Sequence, residues 1–326
     1  MRGLLQLVGA IAAVVYGATP AQAGDWPDRP VTLVVSYAAG SGDDALARIL
    51  TPRLSQLLGR QVIVENVGGA GGMNGTNRVA RASPDGYQFV LGNTGTFAAN
   101  QTLYKQPLYD AATDFTPVAL IAEQPMLLVA RPDFPADNLQ QFVAYVKANQ
   151  AGLQFASGGT GSATHLACVL LNGAVGINAT HIAYRAAALA LQDVVAGRID
   201  YVCPIPSTAL GLIAGKQVKP IANLSRHRTP VLPNLPTAQE QGVANLDAYI
   251  WNGIFLPKDT PVAIVQKLHA AIVATLDTPS VRERIAGIGG SVVASDRRSP
   301  EYLRGFVDSE IKKWSAPIKT SGVSLD

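Results

Sequence analysis

Charged and aromatic residues are scarce in this chain of 326 residues. Only 15% of the residues are charged and 6% are aromatic, and the formal net charge of +3 is spread without a basic run. Proteins that bind nucleic acid usually gather basic residues on one surface, so this composition argues against a nucleic-acid partner. With 48% hydrophobic residues, the chain still has the apolar content of an ordered globular protein.

Cysteine is limited to Cys168 and Cys203. Two thiols are too few for a zinc framework, and the four histidines lack the short spacing of a metal-binding pair. An exported protein could oxidise the two cysteines to a disulfide, and that alternative stays open. We expect two small, buried, reduced side chains instead, which is how free cysteine often behaves. We expect no metal and no cofactor.

Complete enzyme motifs are also missing. The glycine-rich segment 68–75 lacks the Lys-Ser/Thr of a P-loop, and Asn74 stands where the last glycine of a dinucleotide fingerprint would be. No G-x-S-x-G nucleophile elbow is present. Only His165 with Asp43 or Asp44 could form an acid/base pair in a cleft. We therefore predict a non-catalytic protein, with a secreted hydrolase or transferase as the alternative.

The first 23 residues have the pattern of an export signal. Arg2 precedes an apolar run from Leu4 to Val15, and Ala21-Gln22-Ala23 matches the small-x-small cleavage pattern. The run is shorter than the roughly 20 residues that span a bilayer. We predict cleavage after Ala23 and a periplasmic mature protein, with a retained anchor as the alternative.

Short apolar segments alternate with helical patterns along the rest of the chain, which is typical of parallel βαβ units. About 300 residues exceed what one hydrophobic core normally serves, so we predict two α/β lobes. The predicted strands are 31–36, 62–66, 88–92, 126–130, 154–156, 180–184, 199–203, 220–224 and 250–256. The predicted helices are 43–58, 138–149, 162–175, 187–197, 207–215, 261–276, 280–287 and 300–313. Pro52 should kink the first helix or end it early.

Four loop segments follow predicted strands: 36–44, 92–96 and 157–165, which are rich in Gly, Ser, Thr and Asn, and 184–186, which carries Tyr184 and Arg185. Ligands of open α/β sheets bind at such strand ends. Ser162 and Thr164 fall at a predicted helix N-terminus, where free N–H groups favour an anion. Arg185 could add a charge-assisted hydrogen bond. The alternatives are that these loops are simple tight turns, that Arg185 is a solvated charge and that His165 has a packing or capping role.

Several short motifs follow one another in a fixed order, and together they resemble one known family. They are Val64-Glu65-Asn66, Gly69-Ala70-Gly71-Gly72, Pro84-Asp85-Gly86-Tyr87, Asp114-Phe115-Thr116-Pro117-Val118, the segment 157–166, Leu235-Pro236-Thr237 and Trp251-Asn252-Gly253-Ile254-Phe255. The family is that of the Bug-type periplasmic receptors of tripartite tricarboxylate transporters. The resemblance covers essentially the whole mature sequence.

The resemblance implies a periplasmic-binding-protein (Venus-flytrap) fold of two doubly wound α/β lobes with two crossover segments, near residues 124 and 249. Lobe 1 would comprise 24–124 and 250–326, and lobe 2 would comprise 125–249. It also implies no catalysis, a small carboxylate or related anionic ligand and delivery to membrane permease subunits. We expect a monomer. A ligand-sensing role with a signalling partner is the alternative to transport.

The resemblance further implies which residues bind the ligand. They are Tyr37, Ala39, Asp44, Asn93, Thr94, Ser157, Gly161, Ser162, Thr164, Tyr184, Arg185 and Ile205. Where this chain has Pro204, followed by Ile205, many relatives carry an acidic residue, so we expect little use for a ligand's amine. The first loop also departs from the usual proline- and glycine-rich pattern, and Ala186 replaces a common glycine.

Overall fold

Two mixed β-sheets and the helices around them make up the structure, a computed structural model that describes residues 26–321 and 324–325. The predicted export signal lies outside these residues. The strands are β1 Val31–Val35, β2 Val62–Asn66, β3 Gln88–Asn93, β4 Phe115–Pro125, β5 Leu127–Ala130, β6 Gln154–Ser157, β7 Thr180–Ala183, β8 Tyr201–Val202, β9 Lys219–Asn223, β10 Tyr249–Pro257 and β11 Ser291–Val292. The helices are α1 Gly42–Leu58, α2 Met73–Ala80, α3 Asn100–Leu103, α4 Leu139–Ala148, α5 Ala163–Val175, α6 Ala187–Val195, α7 Pro206–Ala214, α8 Val262–Leu276, α9 Pro279–Gly287 and α10 Pro300–Ser321.

The first sheet has six strands in the order β11-β4-β10-β3-β1-β2. Strand β1 pairs in parallel with both β2 and β3, and α1 and α2 provide the crossovers that parallel pairing requires. Strand β10 is antiparallel to β3 and β4. Because β1 and β3 run side by side, the loops that follow Val35 and Asn93 emerge at the same edge of the sheet.

The second sheet has five strands in the order β7-β6-β8-β5-β9. Strand β6 pairs in parallel with β7 and β8, and β5 is antiparallel to β8 and β9. Helices α5, α6 and α7 each follow one of the parallel strands β6, β7 and β8. Their N-termini therefore lie at the carboxyl edge of this sheet.

The chain passes between the two sheets twice. Strand β4 ends in the first sheet at Pro125, β5 begins in the second at Leu127, and β10 returns to the first at Tyr249. The predicted fold class, two α/β lobes joined by two crossovers, is confirmed. The exact lobe limits, 24–124 with 250–326 and 125–249, stay a prediction. No helix in the described ranges is long and apolar enough to cross a bilayer.

Separate hydrophobic clusters cover the two faces of each sheet. In the first sheet, one cluster packs α1 and α8 through Leu46 and Leu268, and the other packs α10 through Trp314. The rings of Phe97 and Phe255 stack in the second cluster with centroids 3.6 Å apart. Sheets buried on both faces give near-continuous apolar strands, as in Val31–Val35.

Two features of the local structure differ from what the sequence indicated. Helix α1 does not end early at Pro52 but continues to Leu58. Proline removes only the N–H that would bond to the carbonyl of Arg48, and both residues are exposed, so water can satisfy that carbonyl. The eleven-residue strand β4 was not predicted, because Pro117 and Pro125 lie within it.

The expectation of reduced thiols is also wrong, because Cys168 and Cys203 form a disulfide. Their Cα atoms are 5.5 Å apart, and both residues are fully buried. Helix α5 carries one cysteine, and the other directly follows β8, 35 residues further along the chain. The bridge therefore ties α5 to the strand end that precedes Ile205.

Candidate ligand-binding site

A cleft of about 150 Å³ lies between the two lobes at the strand edges described above. From the first lobe it is lined by residues 37–43 and Asn93. From the second lobe it is lined by Gly158, Ser162, Ala163, Thr164, Arg185, Ala186, Ala187, Ala188, Ile205 and Thr208, and Ile250 joins from the crossover. Residues from both lobes thus face one small space.

Helix N-termini from both lobes converge on this cleft. Helices α1, α5 and α6 each begin with residues that line it. The first N–H groups of a helix have no partner within the helix, and the helix dipole gives them partial positive charge. In the described ranges we find no acceptor for the N–H groups of Gly42, Asp43, Ala163, Thr164, Ala187 or Ala188. Such an array favours an anion.

Hydroxyl groups cap two of these helices. Ser41 Oγ accepts a hydrogen bond from Asp44 N at 3.2 Å at the start of α1. Ser162 Oγ accepts one from His165 N at 3.4 Å at the start of α5 and lies 3.0 Å from Thr164 Oγ1. Thr164 Oγ1 in turn accepts from Gly158 N at 2.8 Å. These bonds fix the loop before α5 and hold both hydroxyls at the cleft.

Asp43 brings a carboxylate to the cleft, although the residue is only 6% exposed. Asn93 Nδ2 donates to its Oδ2 at 2.6 Å, and Asn252 Nδ2 donates to its Oδ1 at 2.8 Å. Burial raises the pKa of Asp43 to about 6, against the opposing effect of the two amide donors. Burial, with the charge of Asp43 as a smaller contribution, also raises the pKa of Tyr37.

Seven of the twelve residues predicted for the site line the cleft: Tyr37, Ala39, Asn93, Ser162, Thr164, Arg185 and Ile205. The other five are outside its lining: Asp44, Thr94, Ser157, Gly161 and Tyr184. Asp44 instead accepts hydrogen bonds from Arg48 Nε at 3.0 Å and from Gly40 N at 2.9 Å, so it holds the first loop from behind.

The remaining four residues outside the lining bond to other protein groups. Thr94 Oγ1 accepts from Trp251 N at 3.1 Å, and Gly161 N donates to His165 Nδ1 at 3.2 Å. Ser157 Oγ lies 2.7 Å from His181 Nε2. The hydroxyl of Tyr184 donates to Asp193 Oδ2. These contacts shape the loops that carry the lining residues.

Among the described residues that line the cleft, Asp43 is the only ionisable one that the sequence did not single out for ligand binding. The segment 36–44 was identified as a ligand loop, but Asp44 was chosen from it. Its neighbour Asp43 lies about 100° further around α1, since a helix has 3.6 residues per turn. That rotation directs one carboxylate to the cleft and the other to Arg48.

His165, the candidate acid/base residue from the sequence, packs its ring against that of His181. The rings of His165 and His181 lie 4.2 Å apart. Burial lowers the pKa of His165 to about 3 and that of His181 to about 4, so both are neutral near pH 7. Both Asp43 and Asp44 have other partners. No group of three or more metal-ligating His, Cys, Asp or Glu side chains occurs among the described residues.

A larger cavity of about 620 Å³ lies where the strands cross between the lobes, but its lining is charged and paired. Its three carboxylates form the ion pairs Glu123–Arg297, Asp247–Arg226 and Glu310–Lys313. None of the four loop segments predicted to approach the ligand reaches this cavity. The smaller cleft is therefore the better candidate for an anion.

The two-lobed fold, with helix N-termini from both lobes converging on the cleft between them, defines a solute-binding receptor of the periplasmic-binding-protein class. The chain belongs to the tripartite tricarboxylate transporter receptor family, because residues 46–323 match the family described as "Tripartite tricarboxylate transporter family receptor". The predicted family is thereby confirmed.

Similar proteins agree with this family. The Agrobacterium vitis protein named for the TAR-I ttuE-ttuC' intergenic region is 38% identical over 93% of this chain and 87% of its own length. The periplasmic binding protein BugD is 38% identical with a TM-score of 0.85, covering 92% of this chain and 100% of its own. MatC of Rhodopseudomonas palustris, solved with malate, is 37% identical with a TM-score of 0.85, covering 90% and 100%. Rpa4515 of R. palustris, solved with adipate, is 32% identical with a TM-score of 0.86, covering 92% and 99%.

Proposed function

We propose that this chain is a periplasmic receptor that holds a small carboxylate between its lobes, unchanged, and delivers it to the membrane permease subunits of a tripartite tricarboxylate-type transporter. The observation that carries the proposal is the convergence of unpartnered helix N–H groups from both lobes on one small cleft. The malate and adipate bound by two structural neighbours support a carboxylate as the ligand class.

The number of donors in the cleft is sufficient for useful affinity. A hydrogen bond to a charged group contributes about 1.5 to 3 kcal/mol, and micromolar affinity needs about 8 kcal/mol. Three or four such bonds to a carboxylate, from the helix N-termini, from whichever hydroxyl of the Ser162–Thr164 pair does not donate to the other, and from the guanidinium of Arg185, would cover most of that energy. We propose these groups as the ligand contacts of the second lobe.

The first lobe would supply Tyr37, Ala39 and Asn93, and closure would bring the two sets together. A ligand that contacts both lobes at once stabilises the closed form, because only that form offers all the contacts. In this proposal lobe 1 comprises 24–124 and 250–326, and lobe 2 comprises 125–249. Asp44, Thr94, Ser157, Gly161 and Tyr184 would support the binding loops from behind.

The proposal includes export of the chain. Residues 1–23 would act as a signal peptide, cleaved after Ala23, and the mature receptor would work as a monomer in the periplasm. Edman sequencing or intact-mass measurement of the exported protein tests this point. A mature N-terminus other than Gly24 would contradict the cleavage site.

Calorimetric titration of the mature protein with mono-, di- and tricarboxylates tests the binding function. Once a ligand is found, Arg185→Ala should weaken its binding at least ten-fold, because one charge-assisted hydrogen bond is lost. The matched control is Lys147→Ala, which removes an exposed cation from α4, outside the cleft. Equal affinities of the two variants would contradict the assigned site.

A further inference from the structure

Asp43 places an acidic side chain in the cleft, which a site that binds only an anion does not need. Among the described residues that line the cleft, Asp43 is the only acidic one and Arg185 is the only basic one. They lie on opposite lobes: Asp43 in the first turn of α1, and Arg185 two residues before the start of α6. The second lobe therefore offers two helix N-termini and a guanidinium to a carboxylate, whereas on the first lobe the charge of Asp43 opposes the N-terminus of α1.

The carboxylate of Asp43 has unused acceptor capacity. Its two oxygens accept one amide hydrogen bond each, from Asn93 and Asn252. A carboxylate can accept about four hydrogen bonds, so further lone pairs remain. In the part of the chain that the structure describes, no arginine or lysine forms an ion pair with Asp43. The side-chain oxygen of Asn252, beside it, is buried and also lacks a partner.

These features restrict the group that a ligand can present to the first lobe. A carboxylate ligand held by the helix N-termini of the second lobe directs its other end toward Asp43. Two ionised carboxylates repel each other strongly in a poorly solvated site, whereas a donor finds free acceptors. We propose that Asp43 makes this receptor selective for small carboxylates whose far end donates a hydrogen bond, through a hydroxyl, an ammonium or a protonated carboxyl group.

This inference rests on the proposed carboxylate-binding function and makes it more specific. It also replaces an expectation from the sequence. Pro204 and Ile205 indicated that the second lobe has no carboxylate for a ligand's amine, but Asp43 supplies one from the first lobe. An ammonium group is therefore among the donors that the cleft can accept.

The same arrangement links the binding of dicarboxylates to pH. The groups around Asp43 are the phenol of Tyr37 on its own loop, the amides of Asn93 and Asn252, and Arg185 across the cleft. Because burial raises the pKa of Asp43 to about 6, it takes up a proton in a mildly acidic solution. A second ligand carboxylate then finds a donor in place of a like charge.

Acids that differ only at the far end test the selectivity. Butyrate, 4-hydroxybutyrate, 4-aminobutyrate and succinate share a four-carbon skeleton and one anchoring carboxylate, and the same four end groups can be compared on three-, five- and six-carbon chains. At pH 7.5 we expect the hydroxy or the amino acid to bind at least ten-fold more tightly than the methyl and carboxylate members of the same length. The relative affinities of the hydroxy and amino acids identify the donor.

In the variant Asp43→Asn, the affinities for the donor-bearing acids and for the dicarboxylate should differ by less than about three-fold. Calorimetric titration measures this, because a ten-fold difference in affinity corresponds to about 1.4 kcal/mol of binding free energy. Asp133→Asn, an exposed carboxylate outside the cleft, is the matched control. A second measurement needs no variant: the dicarboxylate should bind the unaltered protein at least five-fold more tightly at pH 5 than at pH 8.

The two proposals fail in different ways. If the protein binds no carboxylate of any length, the proposed function is wrong and this inference with it. If it binds carboxylates but prefers the ionised dicarboxylate at pH 7.5, or shows no preference among end groups, only the selectivity proposal is overturned. A dicarboxylate affinity that does not change between pH 5 and pH 8 also overturns it.

Discussion

Replacing Asp43 by asparagine should stabilise the ligand-free protein at neutral pH but much less in acid. In the folded chain, burial raises the pKa of Asp43 from 3.8 to about 6. Each pK unit corresponds to about 1.4 kcal/mol, so full ionisation costs the folded state about 3 kcal/mol. Asparagine keeps the shape of the side chain without the charge. The unpartnered oxygen of Asn252 can accept from the new amide if the Asn252 amide rotates.

The sign follows from proton binding. Because the folded-state pKa is higher than the unfolded value, the folded chain binds more protons between about pH 4 and pH 6. Its free energy of unfolding therefore falls as the pH rises through that window, and the contribution of this group is most favourable in acid. The asparagine side chain does not titrate, so the variant does not lose this stability as the pH rises. Its stability relative to the original protein should rise by about 2 to 3 kcal/mol from pH 4 to pH 7.5.

Urea unfolding at several pH values, followed by fluorescence or circular dichroism, measures this difference. Asp133→Asn again serves as the control, because its carboxylate is 73% exposed, and its effect on stability should change little over the same range. A stability difference between Asp43→Asn and the original protein that is independent of pH would refute the reasoning. So would a variant that becomes less stable than the original as the pH rises.

Three further predictions concern the framework around the cleft. Replacing Cys168 and Cys203 by serine opens a 35-residue loop, which should lower the free energy of unfolding by about 4 kcal/mol. Urea titration measures this loss, and an unchanged unfolding midpoint would contradict a structural role for the bridge. Phe97→Ala removes a fully buried ring and should cost about 3 to 5 kcal/mol in the same assay, whereas a loss below about 1 kcal/mol would mean that this core is loosely packed. Gly75→Ala places a Cβ atom 2.5 Å from the backbone oxygen of Val67 and should lower the free energy of unfolding by about 1 to 3 kcal/mol. Wild-type stability in scanning calorimetry would show that the backbone there can shift without cost.

Much of the fold was predictable because short-range signals dominate it. Strand β2 was predicted with the correct limits, and the helix predicted at 162–175 begins one residue later, at Ala163, with Ser162 as its N-cap. Strand β4 was missed because its neighbours in the sheet are β10 and β11, which lie more than 120 residues further along the chain. Partners at such separations can override the local signal of a proline.

The candidate site was predictable at the level of loops and less so at the level of side chains. Parallel strands bring their carboxyl ends to one edge, so the segments 36–44 and 157–165 were expected to approach the ligand. Which carboxylate points inward depends on rotation about the axis of α1, and only the structure separates Asp43 from Asp44. The disulfide likewise depends on how α5 lies against β8, which no local sequence pattern records.

The most direct test of the account is native mass spectrometry of the mature protein after incubation with a pooled panel of small carboxylates. We predict one carboxylate bound per protein monomer and released at its original mass. A protein that captures no carboxylate from the panel, or that releases one with an altered mass, would contradict the claim that the two lobes hold a small anion without changing it.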